Sequence, residues 1–341
     1  MQNQFAIYGN IPVDCYSIRK RREEILKGHG PGGSIIVAYY LKELTSRDQV
    51  FLVANIGDDE YERKFIEPQL ERMNTDYVQR VKDAKTRLYK VDITNPMRPK
   101  ITRLENAEKL MKTPYMDISP ALPSISTIHF QSYSTIFENK HRDRTIEVIR
   151  KAHEMKIPTV LDWNKRKKTD IKKEEKIEKK VLDMLDTLKM NKEEAKSFVE
   201  PNSRRRPIIR LRNRELEELA DEIMDNFTIN RLVITLGDQG SYVQTRKMSL
   251  RFDAVKSRVT FDATGAGDAA SVAYNIEKLA STDEIETGTF SNIMGCLAVE
   301  HEFSFPRLVT KRTIRQYIVS NHVYCQKYKV SAMELLEKLG I

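Results

Sequence analysis

The feature that most constrains the fold is an alternation of short apolar runs with helical spans. Val50–Ile56 (VFLVANI) is an unbroken apolar run, as a strand covered on both faces of a parallel sheet requires. Leu232–Leu236 (LVITL) is a second such run, and Gln4–Tyr8, Thr127–Phe130, Thr159–Asp162 and Thr187–Met190 read as further strands. Ser34–Leu44, Glu60–Met73 (with a break at Pro68), Arg142–Met155, Lys173–Leu185, Glu215–Asn226, Ala269–Leu279 and Ile285–Ala298 read as helices. Strand and helix in turn predict a mostly parallel sheet with helices on both faces. Ligands in such folds bind at the carboxyl ends of the strands.

Two segments do not belong to that core. Thr86–Ile93 and Lys100–Leu104, around the turn Asn95-Pro96, are too polar for buried strands and read as an exposed hairpin or lid. Gly28–Gly33 (GHGPGG) reads as a glycine-dense loop after a turn or strand near Asp14. No internal repeat or long linker divides the chain, so one domain is expected over residues 1–341, with lid segments at about 10–28 and 84–106. The tail Val330–Ile341 spaces Met333, Leu336 and Leu339 as one apolar helix stripe, which is expected to pack on its own domain, with a partner helix as the alternative.

Composition narrows the partners. Hydrophobic residues at 40% and charged residues at 31% fit a soluble globular protein. No apolar run approaches the roughly 18 residues of a membrane span, and the N-terminus lacks signal-peptide order, so a cytoplasmic protein with no membrane partner is expected. Cys15, Cys296 and Cys325 are odd in number and widely spaced; they form neither a zinc motif nor a disulfide framework and read as core thiols. The net charge of +9 suits acidic partners without choosing among them. Lys165–Lys180 mixes Lys with Glu, as a solvated helix face does. Arg204–Arg214 has no acid and no interleaved aromatics; it reads as a solvated loop or a contact for an acidic partner, and nucleic acid is not expected.

The reaction chemistry concentrates in Phe261–Tyr274 (FDATGAGDAASVAY). Gly265, Ala266 and Gly267 open a helix, and the amides of a helix N-terminus attract anions. With Ala270 and Glu284 these residues formally match the G-x-G-x-x-A dinucleotide fingerprint. Against that match, the following sequence turns mainly helical, and Asp268 sets a fixed negative charge where a pyrophosphate would rest. Phosphoryl transfer uses both features: amides hold the charge of the phosphoryl oxygens, and a carboxylate beside them orients the attacking hydroxyl and accepts its proton. The helix dipole would keep Asp268 ionised for that task. A helix-capping aspartate after a glycine turn is the competing reading, and the tetrapeptide alone does not separate the two.

Asp262–Asp268 (DATGAGD) resembles the C-terminal signature of the ribokinase-like, or PfkB, carbohydrate and nucleoside kinases. Ala263 stands where that family has Thr or Pro, and Ala270 where it has Phe. Further resemblances run in the family's order. Gly32-Gly33 resembles the glycine pair beside the substrate, Gly57-Asp58-Asp59 the strand-end GxD, and Thr86 the start of the second lid segment. Asp162–Arg166 (DWNKR) resembles the D-x-N-x-R of the sugar kinase branches, Asn191–Glu194 the N-x-x-E, and Thr235–Gly240 (TLGDQG) the strand end at the ATP site.

The resemblance implies a ribokinase-like three-layer α/β/α sandwich with a small β-strand lid. It implies ATP and Mg2+ as cofactors and a sugar, sugar acid or nucleoside hydroxyl as acceptor. Asp268 would be the general base, with Gly265, Ala266 and Gly267 as the anion hole. Asn191, Thr235, Gly237, Gly240 and Thr264 would meet the nucleotide, and Asp14, Gly32, Gly33, Asp162 and Arg166 the acceptor. Glu194 would reach Mg2+ through water, which suits a cation that keeps its hydration shell; a first-turn acid favouring the helix dipole remains the alternative.

The acceptor end departs from the pattern. Pro12 stands where the family commonly has Asn, and Gly32–Ala38 contains no Asn. A site that loses such hydrogen-bonding groups loses discrimination among hydroxyls. An alternative is therefore a kinase-like fold kept as a binding or regulatory subunit with a basic contact surface. The retained Asp268, glycines and Asn191/Glu194 pair favour an active kinase. The polar lid strands offer edges through which a homodimer could pair.

Overall fold

The central sheet carries nine strands. From one edge to the other they are β13 (Ser249–Phe252), β12 (Ser241–Thr245), β11 (Arg231–Thr235), β10 (Thr187–Asn191), β9 (Thr159–Asp162), β8 (Ile125–Phe130), β1 (Gln4–Tyr8), β4 (Val50–Ile56) and β5 (Val78–Arg80). Every pairing from β5 to β11 is parallel, and β12 and β13 close one edge as an antiparallel hairpin. The computed structural model describes residues 4–20, 23–45, 49–71, 73–104, 107–138, 140–164, 175–199, 213–301 and 309–341. Arg166, the first part of the Lys165–Lys180 run and most of Arg204–Arg214 lie outside them.

The expected α/β sandwich is present. One helical layer contains Ser34–Leu44, Ala266–Ala280, Glu284–Val299 and the C-terminal helices; the other contains Arg142–Glu154, Glu175–Leu182 and Asn213–Asn226. All seven residues of β4 are buried, which is why its sequence does not alternate. The chain builds outward from β1 in both directions, with β4 on one side and β8 on the other. The crevice at the carboxyl ends of β1 and β8 is thus the topological switch point, where ligands of open α/β sheets bind. The helix Ala266–Ala280 runs through the core with Ala269–Ile276 all buried, and its small residues let it approach the sheet closely.

A second, four-stranded sheet forms the lid in the order β3-β2-β6-β7: β3 (Glu23–Pro31), β2 (Val13–Lys20), β6 (Leu88–Asp92) and β7 (Lys100–Arg103). It is latched to the core at both ends of its second segment. The carboxylate of Asp59, just beyond β4, accepts from the Thr86 amide and hydroxyl at 2.6 Å each. Partial burial opposes the charge on Asp59, but these hydrogen bonds outweigh it and hold its pKa below the usual carboxylate range. At the far end the Ala263 amide donates to the Pro96 carbonyl at 2.8 Å, so the lid turn rests on the loop that precedes Gly265.

Several elements differ from the sequence expectation. The glycine-dense stretch is strand as far as Pro31, because its backbone pairs with β2 (Cys15 with His29, Asp14 with Gly30). Glu60–Met73 contains a π-helical turn, Glu62–Ile66, before a short α-helix at Glu67–Leu70. There Glu62 is buried and receives the Arg80 guanidinium. In the tail, Leu336 and Leu339 are buried with Leu335, but Met333 is 62% exposed and not part of the packed stripe. Cys296 and Cys325 are buried free thiols and Cys15 is half-buried.

The turn joining β11 to β12 contains two glycines under different constraints. Both have positive φ, +62° at Gly237 and +92° at Gly240. A Cβ at Gly237 would meet no atom within 4 Å, whereas one at Gly240 would lie 2.0 Å from the Phe252 carbonyl oxygen. Gly237→Ala should therefore cost about 1–2 kcal/mol of backbone strain, and Gly240→Ala clearly more, about 3 kcal/mol or above, because β13 must shift as well. Urea unfolding of the two variants checks this; equal losses would contradict the packing of β13 against Gly240.

Candidate active site

Two cavities meet at the start of the helix Ala266–Ala280. One, of about 970 Å3, is lined by Asn191, Thr235, Gly237, Gly240, Ala266 and Gly267 among others. The second, of about 800 Å3, lies under the lid and is lined by Asp14, Gly33, Gln131, Thr264, Gly265 and Asp268 among others. Ala263 and Gly267 line both. The helix N-terminus thus stands at the join, with Asp268 on the lid side.

Gly265 is the N-cap in the left-handed conformation (φ 79°, ψ −5°), which glycine adopts without a Cβ penalty. The loop before it is braced by Asp262, whose Oδ1 accepts from the Thr264 amide (2.9 Å) and hydroxyl (2.7 Å). Beneath the helix start lies a buried ion pair, Lys189 Nζ to Asp162 Oδ2 at 2.6 Å, formed because the two residues are register partners on β10 and β9. A Cβ on Gly267 would sit 3.4 Å from that Lys189 Nζ. The Ser271 hydroxyl, 3.5 Å from Asp162 Oδ2, ties the pair to the helix.

Asp268 is oriented from behind by a chain of buried side chains. Gln131 Nε2 donates to Asp268 Oδ1 at 2.5 Å. Gln131 Oε1 is 2.9 Å from His129 Nε2, and His129 Nδ1 is 3.2 Å from Asn275 Nδ2. The Asn275 amide nitrogen can only donate, so Nδ1 accepts, Nε2 carries the proton, and the Gln131 amide is held with its NH2 toward the carboxylate. None of Gln131, His129 or Asn275 carries a local sequence signature. The available signal was indirect: buried polar residues at the end of β8 and along a core helix.

The predicted acceptor residues divide. Asp14 is buried and lines the lid-side cavity; a Cβ on Gly32 would lie 2.6 Å from its Oδ2, so that glycine lets the carboxylate approach the backbone. Asp162 points to Lys189 beneath the site and lines neither of the two cavities. Thr264, predicted at the nucleotide, lines the lid-side cavity. Asn191, Thr235, Gly237 and Gly240 lie together on the other cavity. Asn191 and Glu194 form a reciprocal capping pair at the helix Lys192–Val199: Asn191 N–H donates to Glu194 Oε2 (2.8 Å) and Glu194 N–H to Asn191 Oδ1 (2.9 Å). Among the described residues no cluster of three His, Cys, Asp or Glu side chains stands ready for a metal. A Mg2+ that arrives on phosphates and keeps its waters needs only one or two carboxylates, so this donor set fits nucleotide-borne Mg2+.

Comparison with known proteins agrees with the geometry. The model of the pfkB family of carbohydrate kinases matches residues 4–304. Among solved structures, the chain is similar to an Arabidopsis thaliana ribokinase complexed with ribose and ATP (TM-score 0.71, 16% identity, covering 93% of this chain and 99% of that one). It is similar to a Xylella fastidiosa fructokinase with bound ATP (TM-score 0.73, 16% identity, 94% and 99%). It also resembles an E. coli chain solved with ATP and Mg2+ (TM-score 0.71, 15% identity, 94% and 100%). No curated protein matches the chain.

The chain behind Asp268 requires a neutral imidazole, and burial lowers the His129 pKa from 6.5 to about 4, against the pull of Asp162 and Gln131. The unfolded imidazole takes up its proton first as the pH falls. Stability is therefore full above pH 6.5 and declines toward pH 4, by about 3 kcal/mol from this residue. An NMR titration should find His129 neutral down to about pH 5; a midpoint near 6.5 would contradict the arrangement.

Proposed function

On the premise that this chain belongs to the pfkB family of carbohydrate kinases, we propose that it transfers the γ-phosphoryl group of ATP to a hydroxyl of a sugar or related small molecule. The observation that carries the reading is Asp268 standing on the acceptor side of a helix N-terminus that opens between two cavities.

The nucleotide takes the cavity lined by Asn191, Thr235, Gly237 and Gly240, and the acceptor takes the one under the lid. The helix start at Gly265–Gly267 stands at the junction of the two cavities, where the phosphoryl group would pass and its charge would meet the positive end of the helix; of its amides, that of Ala266 already donates to the Ala263 carbonyl at 3.3 Å. Asp268 orients the acceptor hydroxyl and takes up its proton. The Gln131 amide holds the Asp268 carboxylate through Oδ1 and so fixes the direction from which it meets the hydroxyl. Asp14 fixes the acceptor from the opposite wall, and Gly33 lets the chain turn beside it. The lid, docked through Pro96 on Ala263, keeps water from competing with the acceptor. Mg2+ bound with the nucleotide phosphates would neutralise part of their charge; Asn191 lines that cavity, and Glu194, its capping partner, would be the carboxylate to hold the hydrated ion.

Asp268→Asn should lower the rate of ATP-dependent phosphorylation by about a thousandfold or more while leaving ATP affinity within a fewfold. A coupled ADP assay and calorimetry measure the two quantities. A variant that retains near-normal turnover would remove Asp268 from the role of base.

A further inference from the structure

The lid-side cavity is lined by a largely buried guanidinium, Arg87, that forms no ion pair among the described residues. Arg87 lies between Thr86, which is latched to Asp59, and β6, and its carbonyl accepts from the Val13 amide at 2.8 Å. Its backbone is therefore held on both sides. The residue lines the lid-side cavity, is only 7% exposed, and its Nε has no hydrogen-bond partner among the described residues. Nor does any described carboxylate come within ion-pair distance of it. The neighbour that feels its charge is the Tyr115 phenol, whose pKa burial pushes up to about 12 in spite of Arg87, so that group is neutral.

A guanidinium taken out of water without a partner is costly, and such a group is kept where a ligand completes it. The rest of the cavity indicates which ligand. Pro12 and Ile36 present apolar walls, which weakens a reading built on neutral hydroxyls alone. Asp14, Glu138 and Asp268 also line the cavity, against the two cations Arg87 and Arg103. The three carboxylates repel a dianionic phosphate more strongly than a monoanionic carboxylate, and a single carboxylate matches the planar fork of one guanidinium.

We propose that the acceptor is a sugar acid, with its carboxylate bound by Arg87 and a hydroxyl presented to Asp268. The assignment rests on the kinase reading for the second contact only. Binding of the carboxylate is testable without turnover.

The test is calorimetry on the full chain without ATP. The probes are aldonates and ketoaldonates of five and six carbons, the matching neutral alditols and ketoses, and sugar phosphates. The best acid should bind roughly 30-fold or more tightly than its neutral counterpart. Arg87→Gln should erase that gap, and Arg87→Lys, which keeps the charge but not the fork, should restore part of it. Equal or tighter binding of neutral sugars, preference for a sugar phosphate, a gap that survives Arg87→Gln, or no binding by any probe overturns the assignment. Turnover, measured separately, distinguishes the two claims. Phosphorylation of neutral sugars alone would retain the kinase and remove the sugar acid. Acid binding through Arg87 with no turnover would do the reverse.

Discussion

The ion pair between Lys189 and Asp162 lies under everything the site does. The residues come from adjacent parallel strands, Asp162 from the carboxyl end of β9 and Lys189 from the middle of β10, and parallel register brings their opposite charges together at 2.6 Å inside the fold. A buried pair is stable only where geometry and further hydrogen bonds compensate for lost hydration. Here Ser271 adds a contact from the helix above, and Lys189 sets the distance at which Gly267 can pass. The helix Ala266–Ala280 is seated on that pair, and its first turn thereby falls at the switch point between β1 and β8. Breaking either partner would leave a charge without its counterpart directly beneath the first turn of that helix.

From that seat outward the site is a set of mutual constraints. Gln131, at the end of β8, fixes Asp268; His129 and Asn275 fix Gln131. The lid is held by Asp59 at one end and by Ala263 at the other, so it covers the lid-side cavity and bears on the loop that precedes Gly265. Lid position and the geometry of the helix start are therefore coupled through the Ala263–Pro96 hydrogen bond. An acceptor that draws the lid inward would also act on the loop that leads into Gly265.

The parts legible in the sequence were those encoded locally. The apolar runs marked the buried strands, and Gly265–Asp268 marked the helix start because glycine and small residues before a helical run leave its first turn open, although the tetrapeptide alone did not say what that turn does. What depends on register or depth was not legible. Asp162 was expected at the acceptor, but its partner Lys189 is 27 residues away and meets it only through the pairing of β9 with β10. Thr264 was placed on the nucleotide side, one residue from a boundary that only the fold of the loop draws. Arg87 read as one more polar residue of an exposed lid segment; it is 7% exposed, and its backbone is tied to Val13 on another segment, which the sequence alone does not show. The edge strands β12 and β13 are short, and most of the residues of β13 are accessible, so they lack the apolar run that marked β4.

The central claim is that the chain moves a phosphoryl group from ATP to a carbon-bound hydroxyl at Asp268. The most direct measurement follows the γ-phosphorus itself, by 31P NMR or a radiolabel, with ATP, Mg2+ and a pool of sugars and sugar acids. The account predicts that the label is recovered as a phosphate monoester in amounts equal to the ADP formed. Label recovered only as inorganic phosphate, or ATP that remains intact although it binds, would contradict it.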